Sequence, residues 1–148
     1  MTTTFELHPQ LAADCHRLGS WGDCWILLHG NAGVPWYIVV PQTDAGELHE
    51  LTPQEREAVD RTLDALARFI KTQHGSQRIN LAAIGNRVPQ LHIHVVGRSE
   101  GDPCWPDVVW GNLSPGPAWR RQDVTALQQA LVAADDSGAF VPCEIDPG

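Results

Sequence analysis

From Gln90 to Val95 the chain alternates polar and apolar residues, Gln-Leu-His-Ile-His-Val, before closing on Val96 and Gly97. That period of two is the signature of an extended strand, whose side chains point to opposite faces in turn. Leu91, Ile93 and Val95 then enter one packed face, while Gln90, His92 and His94 stand together on the other. The two imidazoles sit roughly 7 Å apart at Cβ, the spacing of every second strand residue. The preceding turn carries Asn86 and Arg87 and the following position carries Arg98, which gathers donors around the pair.

The rest of the chain supplies partners for such a strand. Apolar or β-branched runs predict strands at Cys15–Leu18, Cys24–Leu28, Trp36–Val40 and Arg78–Ile84, with turns at Gly19–Asp23 and Gly30–Gly33. Thr52-Pro53-Gln54-Glu55 is a capping box with proline at the first helical position, and Val59, Leu63, Leu66, Ala67 and Ile70 recur at helical spacing until Gly75. Val124, Leu127, Leu131 and Ala134 predict a closing helix over Gln122–Ala134. Residues 1–14 read as a lead-in with a helical turn near Pro9–Ala13. Pro103, Pro106, Pro115 and Pro117 predict an irregular arm, and the tail after Asp135 is expected to be loose. The pattern is α+β: an antiparallel sheet with one long central helix on one face and a C-terminal helix. One domain is expected over residues 1–148, its core at about 15–110, its arm and last helix at 111–135.

Composition narrows the function. A net charge of −8 argues against a nucleic-acid polymer as partner, although local donors can still hold one phosphate. No run is long and apolar enough to span a membrane, and the first residues lack a basic segment followed by an apolar one, so a cytoplasmic location is expected. Cys15, Cys24, Cys104 and Cys143 form no C-x-x-C pair and read as free thiols. Of six tryptophans, Trp105, Trp110 and Trp119 cluster late and suit an interface or the wall of a base pocket.

Two histidines facing one phosphate have a clear use. A neutral imidazole attacks phosphorus and a second one, protonated, donates to the leaving atom. A His-x-His pair also fits a metal, since both ligands share a face. His29, His49, Cys15 and Cys24 are candidate further ligands, none at a telling spacing.

Pro89-Gln90-Leu91-His92-Ile93-His94-Val95-Val96-Gly97-Arg98 resembles the histidine triad motif, His-φ-His-φ-His-φ-φ with φ apolar. Gly85-Asn86-Arg87-Val88 lies where that family has its phosphate-binding turn. Trp36 to Pro41 resembles the family strand that ends in proline, and the helix from Pro53 resembles its central helix. The Val-Pro-Gln-Leu-His-φ-His run and Gly101-Asp102-Pro103-Cys104-Trp105-Pro106 resemble a proteobacterial branch of small members. The resemblance implies a hydrolase of nucleotides with a substituted α-phosphate, either phosphoramidates or dinucleoside polyphosphates, working without a cofactor as a homodimer. It makes His92 the nucleophile, His94 the contact to the scissile phosphate and its leaving group, and Asn86 a phosphate ligand. Leu28, His29 and Asn31 fall at the ribose position, with Ile26 and Leu28 toward the base. Gln90 replaces the first histidine: it cannot titrate but can hydrogen-bond phosphate or order His92. That replacement motivates a second expectation, a nucleotide-binding module without catalysis. A metal-binding protein using His92 and His94 is the third.

Overall fold

The computed structural model describes residues 4–146; the ends of the expected 1–148 domain, residues 1–3 and 147–148, lie outside them. Six strands form one antiparallel sheet: β1 (Cys15–Trp21), β2 (Cys24–His29), β3 (Trp36–Pro41), β4 (Arg78–Ala82), β5 (Ile93–Arg98) and β6 (Phe140–Pro142). Their order across the sheet is β4-β5-β3-β2-β1-β6. Among the described residues three α-helices accompany them, α1 (Pro9–Asp14), α2 (Pro53–His74) and α3 (Arg121–Ala134), with a 3-10 turn at Leu48–Glu50.

The sheet divides the core in two. Leu18, Ile26, Leu28, Tyr37, Val39, Ile93 and Val95 face α2 and α3, where Val59, Leu66, Phe69, Ile70, Val124, Leu127 and Leu131 meet them. On the opposite face Leu27, Trp36, Ile38, Val40 and Val96 are covered by Leu11 of α1, Val88, and Cys104 and Val109 of the late arm. The period-two alternation of β2, β3 and β5 sends neighbouring residues into these two clusters.

Helix α2 begins as its sequence demands. Thr52 accepts from the Glu55 N–H at 3.1 Å, and the Glu55 carboxylate accepts from the Thr52 N–H at 3.0 Å. It ends at Gly75, whose φ of +67° only glycine adopts without strain. Its last turn presses against β5 at Gly97, where a Cβ would come within 2.7 Å of Ile70 Cγ2. Any larger residue at Gly97 forces that helix end off the sheet.

The tail differs from expectation. Residues 140–142 add the edge strand β6 to β1, and Phe140 packs edge-on against Trp21 at 5.8 Å. The Gln128 side-chain amide donates to the carbonyls of Leu18 and Cys143, at 2.8 and 2.6 Å, pinning the tail from α3. A glutamine inside an apolar helical stripe was the only sequence signal for this. The arm between β5 and α3 is irregular, as its prolines predict. Among the described residues no helix is long and apolar enough to cross a membrane.

Candidate active site

His92 immediately precedes β5 and His94 lies within it, both on the sheet face opposite α2 and α3 and only 7% and 9% exposed. Their ring centroids are 5.0 Å apart and nearly perpendicular. Each ring has one nitrogen committed, and the two commitments are of opposite kind. His92 Nδ1 lies 2.7 Å from the Gln90 carbonyl oxygen. A carbonyl only accepts, so Nδ1 carries the hydrogen and the neutral ring keeps its lone pair on Nε2. His94 Nδ1 lies 3.0 Å from Trp36 Nε1. Indole N–H only donates, so Nδ1 of His94 carries the lone pair and Nε2 carries the hydrogen. One histidine is left with a free base, its neighbour with a free donor.

The surroundings keep His94 uncharged. Its ring is packed among Trp36, at 5.6 Å, and Trp110, at 5.5 Å. Burial, reinforced by the neighbouring His92 and His29, pushes it down to about 4. Where a protonated second imidazole was expected, the ring therefore presents a neutral Nε2–H. His29 stacks on Trp36 with centroids 4.1 Å apart, and burial lowers its affinity for a proton too. His29 Nδ1 accepts from the Asn31 N–H at 3.1 Å, which leaves Nε2–H as its donor. Beside His92 a recess is lined by Gly46, Glu47, Ala83, Ile84, Gly85 and Gln90.

A family model for the HIT domain matches residues 10–101. The chain belongs to the histidine triad (HIT) family. Solved HIT-protein structures from three bacteria resemble it over most of both chains. That from Sinorhizobium meliloti is 35% identical with a TM-score of 0.84, covering 88% of this chain and 97% of its own. That from Bradyrhizobium japonicum is 31% identical with a TM-score of 0.84, covering 89% and 98%. That from Marinobacter aquaeolei is 34% identical with a TM-score of 0.82, covering 89% and 96%. A search of curated proteins returns no match.

Within this HIT domain the other expected site residues go to different places. Asn86 and Arg87 are exposed on the Gly85 turn ahead of His92. Leu28, like Ile26, is wholly buried on the helix face, so the expected contact with ribose or base is closed to both. Asn31 is not a free ribose ligand: its Oδ1 accepts from the Gly33 N–H at 2.9 Å and its Nδ2 donates to the Ser114 carbonyl at 3.0 Å. It clamps the arm to the β2–β3 turn, helped by the Ala32 N–H donating to the Pro117 carbonyl. Gln90 is turned to the N-terminal segment: its Oε1 accepts from the His8 N–H at 2.9 Å and its Nε2 donates to the Glu6 carbonyl at 2.8 Å.

Arg98 is also withdrawn from the donor cluster expected of it. Its guanidinium is buried and forked onto Asp102, with Nε–Oδ2 at 2.7 Å and Nη2–Oδ1 at 3.0 Å. It also donates to Asn80 Oδ1 and the Asp107 carbonyl. The Arg98 fork holds the Asp102 carboxyl down to about 2, and that carboxylate also accepts from the N–H groups of Ser99, Cys104 and Trp105. Arg98 therefore builds the first turn of the arm.

The resemblance puts Trp36 or Tyr37 where the family's earlier strand has a histidine that helps position the triad; here it is Trp36 that meets His94, through its N–H. Trp110 comes from beyond the matched 10–101 stretch. Its Nε1 is buried, and among the described residues nothing accepts from it. The three late tryptophans do three different things: Trp105 lies over the Arg98 guanidinium, Trp110 walls His94, and Trp119 donates to the His29 carbonyl at 3.1 Å. Among the described residues no group of three or more His, Cys, Asp or Glu could hold a metal, so a His92–His94 metal site lacks a third ligand.

Proposed function

We propose that this HIT protein is a nucleotide hydrolase that cleaves a substituted nucleoside α-phosphate through a covalent His92 intermediate. The observation that carries the reading is the opposed pair of tautomers: a lone pair on His92 Nε2 beside a hydrogen on His94 Nε2. Attack by His92 Nε2 forms a nitrogen–phosphorus bond as the bond to the leaving group breaks. His94 Nε2–H hydrogen-bonds the leaving atom, which takes its proton from solvent. Water then attacks phosphorus, frees His92 and releases the nucleoside monophosphate. The Gln90 carbonyl stabilises the charge that develops on the imidazole through Nδ1–H, the role an acidic partner plays in a hydrolytic triad. Asn86 and the N–H groups of the Gly85 turn are the phosphate donors in this reading, and the His29–Trp36 stack and Trp110 are the aromatic surfaces beside the pair.

A panel of nucleoside phosphoramidates and dinucleoside polyphosphates, assayed on the parent and on His92→Ala, tests it. Turnover by the parent and its loss in His92→Ala, with nucleotide still bound in calorimetry, is the expected result. Equal turnover by both proteins overturns the mechanism. The amide of Gln90, turned to main chain instead of toward the histidines, favours a second reading, a nucleotide-binding module without catalysis. Binding of AMP or GMP with no substrate cleaved by the parent establishes that one. Light scattering checks the homodimer that accompanies both.

A further inference from the structure

The position that departs from the triad motif is occupied twice over. Gln90 is joined through its main chain to His92 and through its side chain to a segment more than 80 residues away in sequence. In an extended chain the carbonyl of one residue and the N–H of the residue two further on face the same side. Glu6 and His8 present that pair, and the Gln90 amide answers it with a donor and an acceptor side by side, as a residue of a neighbouring parallel strand does. Phe5 and Leu7, flanking the bonded Glu6 carbonyl, pack on the same apolar cluster as Trp36, Val88 and Val96. An imidazole cannot make this contact, because its two nitrogens diverge.

We propose that Gln90 is a positioning residue: its side chain latches the N-terminal segment 6–8 to the rim of the site, and the latch fixes the Gln90 carbonyl that sets the tautomer and orientation of His92. The proposal rests on the hydrolase reading for its catalytic consequence but not for the latch. With the latch closed, the carbonyl cannot swing from Nδ1 and the lone pair stays on Nε2. With it open, residues 89–91 move, and His92 samples the tautomer whose Nε2 carries a hydrogen and cannot attack.

Two substitutions open the latch from opposite sides. Gln90→Met keeps length and loses both polar atoms. His8→Pro deletes the main-chain donor at a residue whose φ of −52° proline accepts. His8→Asn keeps the donor and serves as the control for the ring. In ring-nitrogen NMR the parent and His8→Asn are expected to show His92 as a single Nδ1–H tautomer. Gln90→Met, His8→Pro and the double variant are each expected to show mixed tautomers, with fast exchange at the residue 6–8 amides. The double variant should be no worse than either single one, since all three lose the same latch. In the hydrolase assay the three should lose turnover by about tenfold with little change in KM.

An unchanged His92 spectrum in Gln90→Met and His8→Pro overturns the positioning role, as does unchanged turnover in an active parent. Rapid exchange of the His8 amide in the parent overturns the latch itself. A parent that cleaves no nucleotide, yet shows the expected spectra, leaves the latch standing and removes only the hydrolase reading.

Discussion

The two faces of this sheet are covered by different means. On one, α2 and α3 lay regular apolar stripes over Tyr37, Ile93 and Val95, and each helix pairs its own backbone except at its ends. On the other, α1 is only six residues long, and irregular chain covers Trp36, His94 and Val96. Such chain pairs only part of its own N–H and C=O groups in turns, and side chains take others: Asp102 takes three N–H groups, Asn31 joins Gly33 to Ser114, and Gln90 joins Glu6 to His8. Polar groups are therefore abundant on that face, and the histidines lie among them. The helix-covered face carries separate polar contacts, Tyr37 with His74 and Gln128 with Leu18; the face covered by clamped loops holds two imidazoles side by side with a fixed partner for each.

The contrast breaks first at Arg98. Replacing it by methionine leaves the nearly buried Asp102 carboxylate without its cation, which should cost on the order of 3–5 kcal/mol in denaturant unfolding. Hydrogen exchange should rise through residues 99–110 before it rises in α2. Leu66→Ala probes the other face. It removes a wholly buried side chain beneath the long helix and should cost about 3 kcal/mol, with the arm's amides still as protected as global stability allows. If Arg98→Met loosened both faces equally, the arm and the helices would form one cooperative cover, and the distinction would be lost.

Acid tests both faces together. His94 lies on the clamped face and His74 on the helical one, where its Nε2 sits 2.8 Å from the Tyr37 hydroxyl; burial pushes each down to about 4. Between pH 6.5 and about 4 the unfolded chain takes up these two protons and the folded chain does not, so stability falls with falling pH across that window. Above 6.5 neither contributes. The Arg98–Asp102 pair acts in a lower window, since its carboxyl stays ionised down to about 2. His74→Gln should remove only part of the upper-window slope, because His94 and His29, whose proton affinity burial also lowers, still lag the unfolded chain in taking up protons. Thermal melts at pH 7, 5.5 and 4.5 read it, and an undiminished slope in His74→Gln would place the acid sensitivity on the clamped face alone.

The helical face was legible in the sequence because its rules are local. The capping box, the stripe from Val59 to Ile70 and the alternation of β5 each follow from a short window; the same alternation put His92 beside His94 on the other face, and the HIT resemblance added the roles expected of them. The clamped face was not legible, because its contacts join residues far apart whose side chains have several uses. Nothing near Asn31 marks it as a partner for Ser114, and nothing near Arg98 says whether its fork meets a phosphate or Asp102. The family alignment placed Leu28 toward a ribose, yet strand parity turns it to the helices. Gln128, unremarked between Leu127 and Leu131, fixes a tail expected to be loose.

The smallest effect concerns Trp36, where the clamped face meets chemistry. Its indole is stacked on His29 and edge-on to Trp110 and His94, and its N–H is the one hydrogen-bond donor it offers the pair. Trp36→Phe retains an aromatic ring and deletes that donor. One neutral hydrogen bond is worth about 1 kcal/mol, so His94 should divide between its tautomers and turnover should fall about fivefold. KM should stay near the parent value, because the change alters which nitrogen of His94 carries hydrogen and leaves the rim of the site in place. Ring-nitrogen NMR on Trp36→Phe should show His94 gaining an Nδ1–H population while His92, held by a carbonyl and not by an indole, keeps its own. If both histidines changed together, the two tautomers would be set by each other across their 5.0 Å separation, and the separate partners assigned to them would not be what fixes the pair.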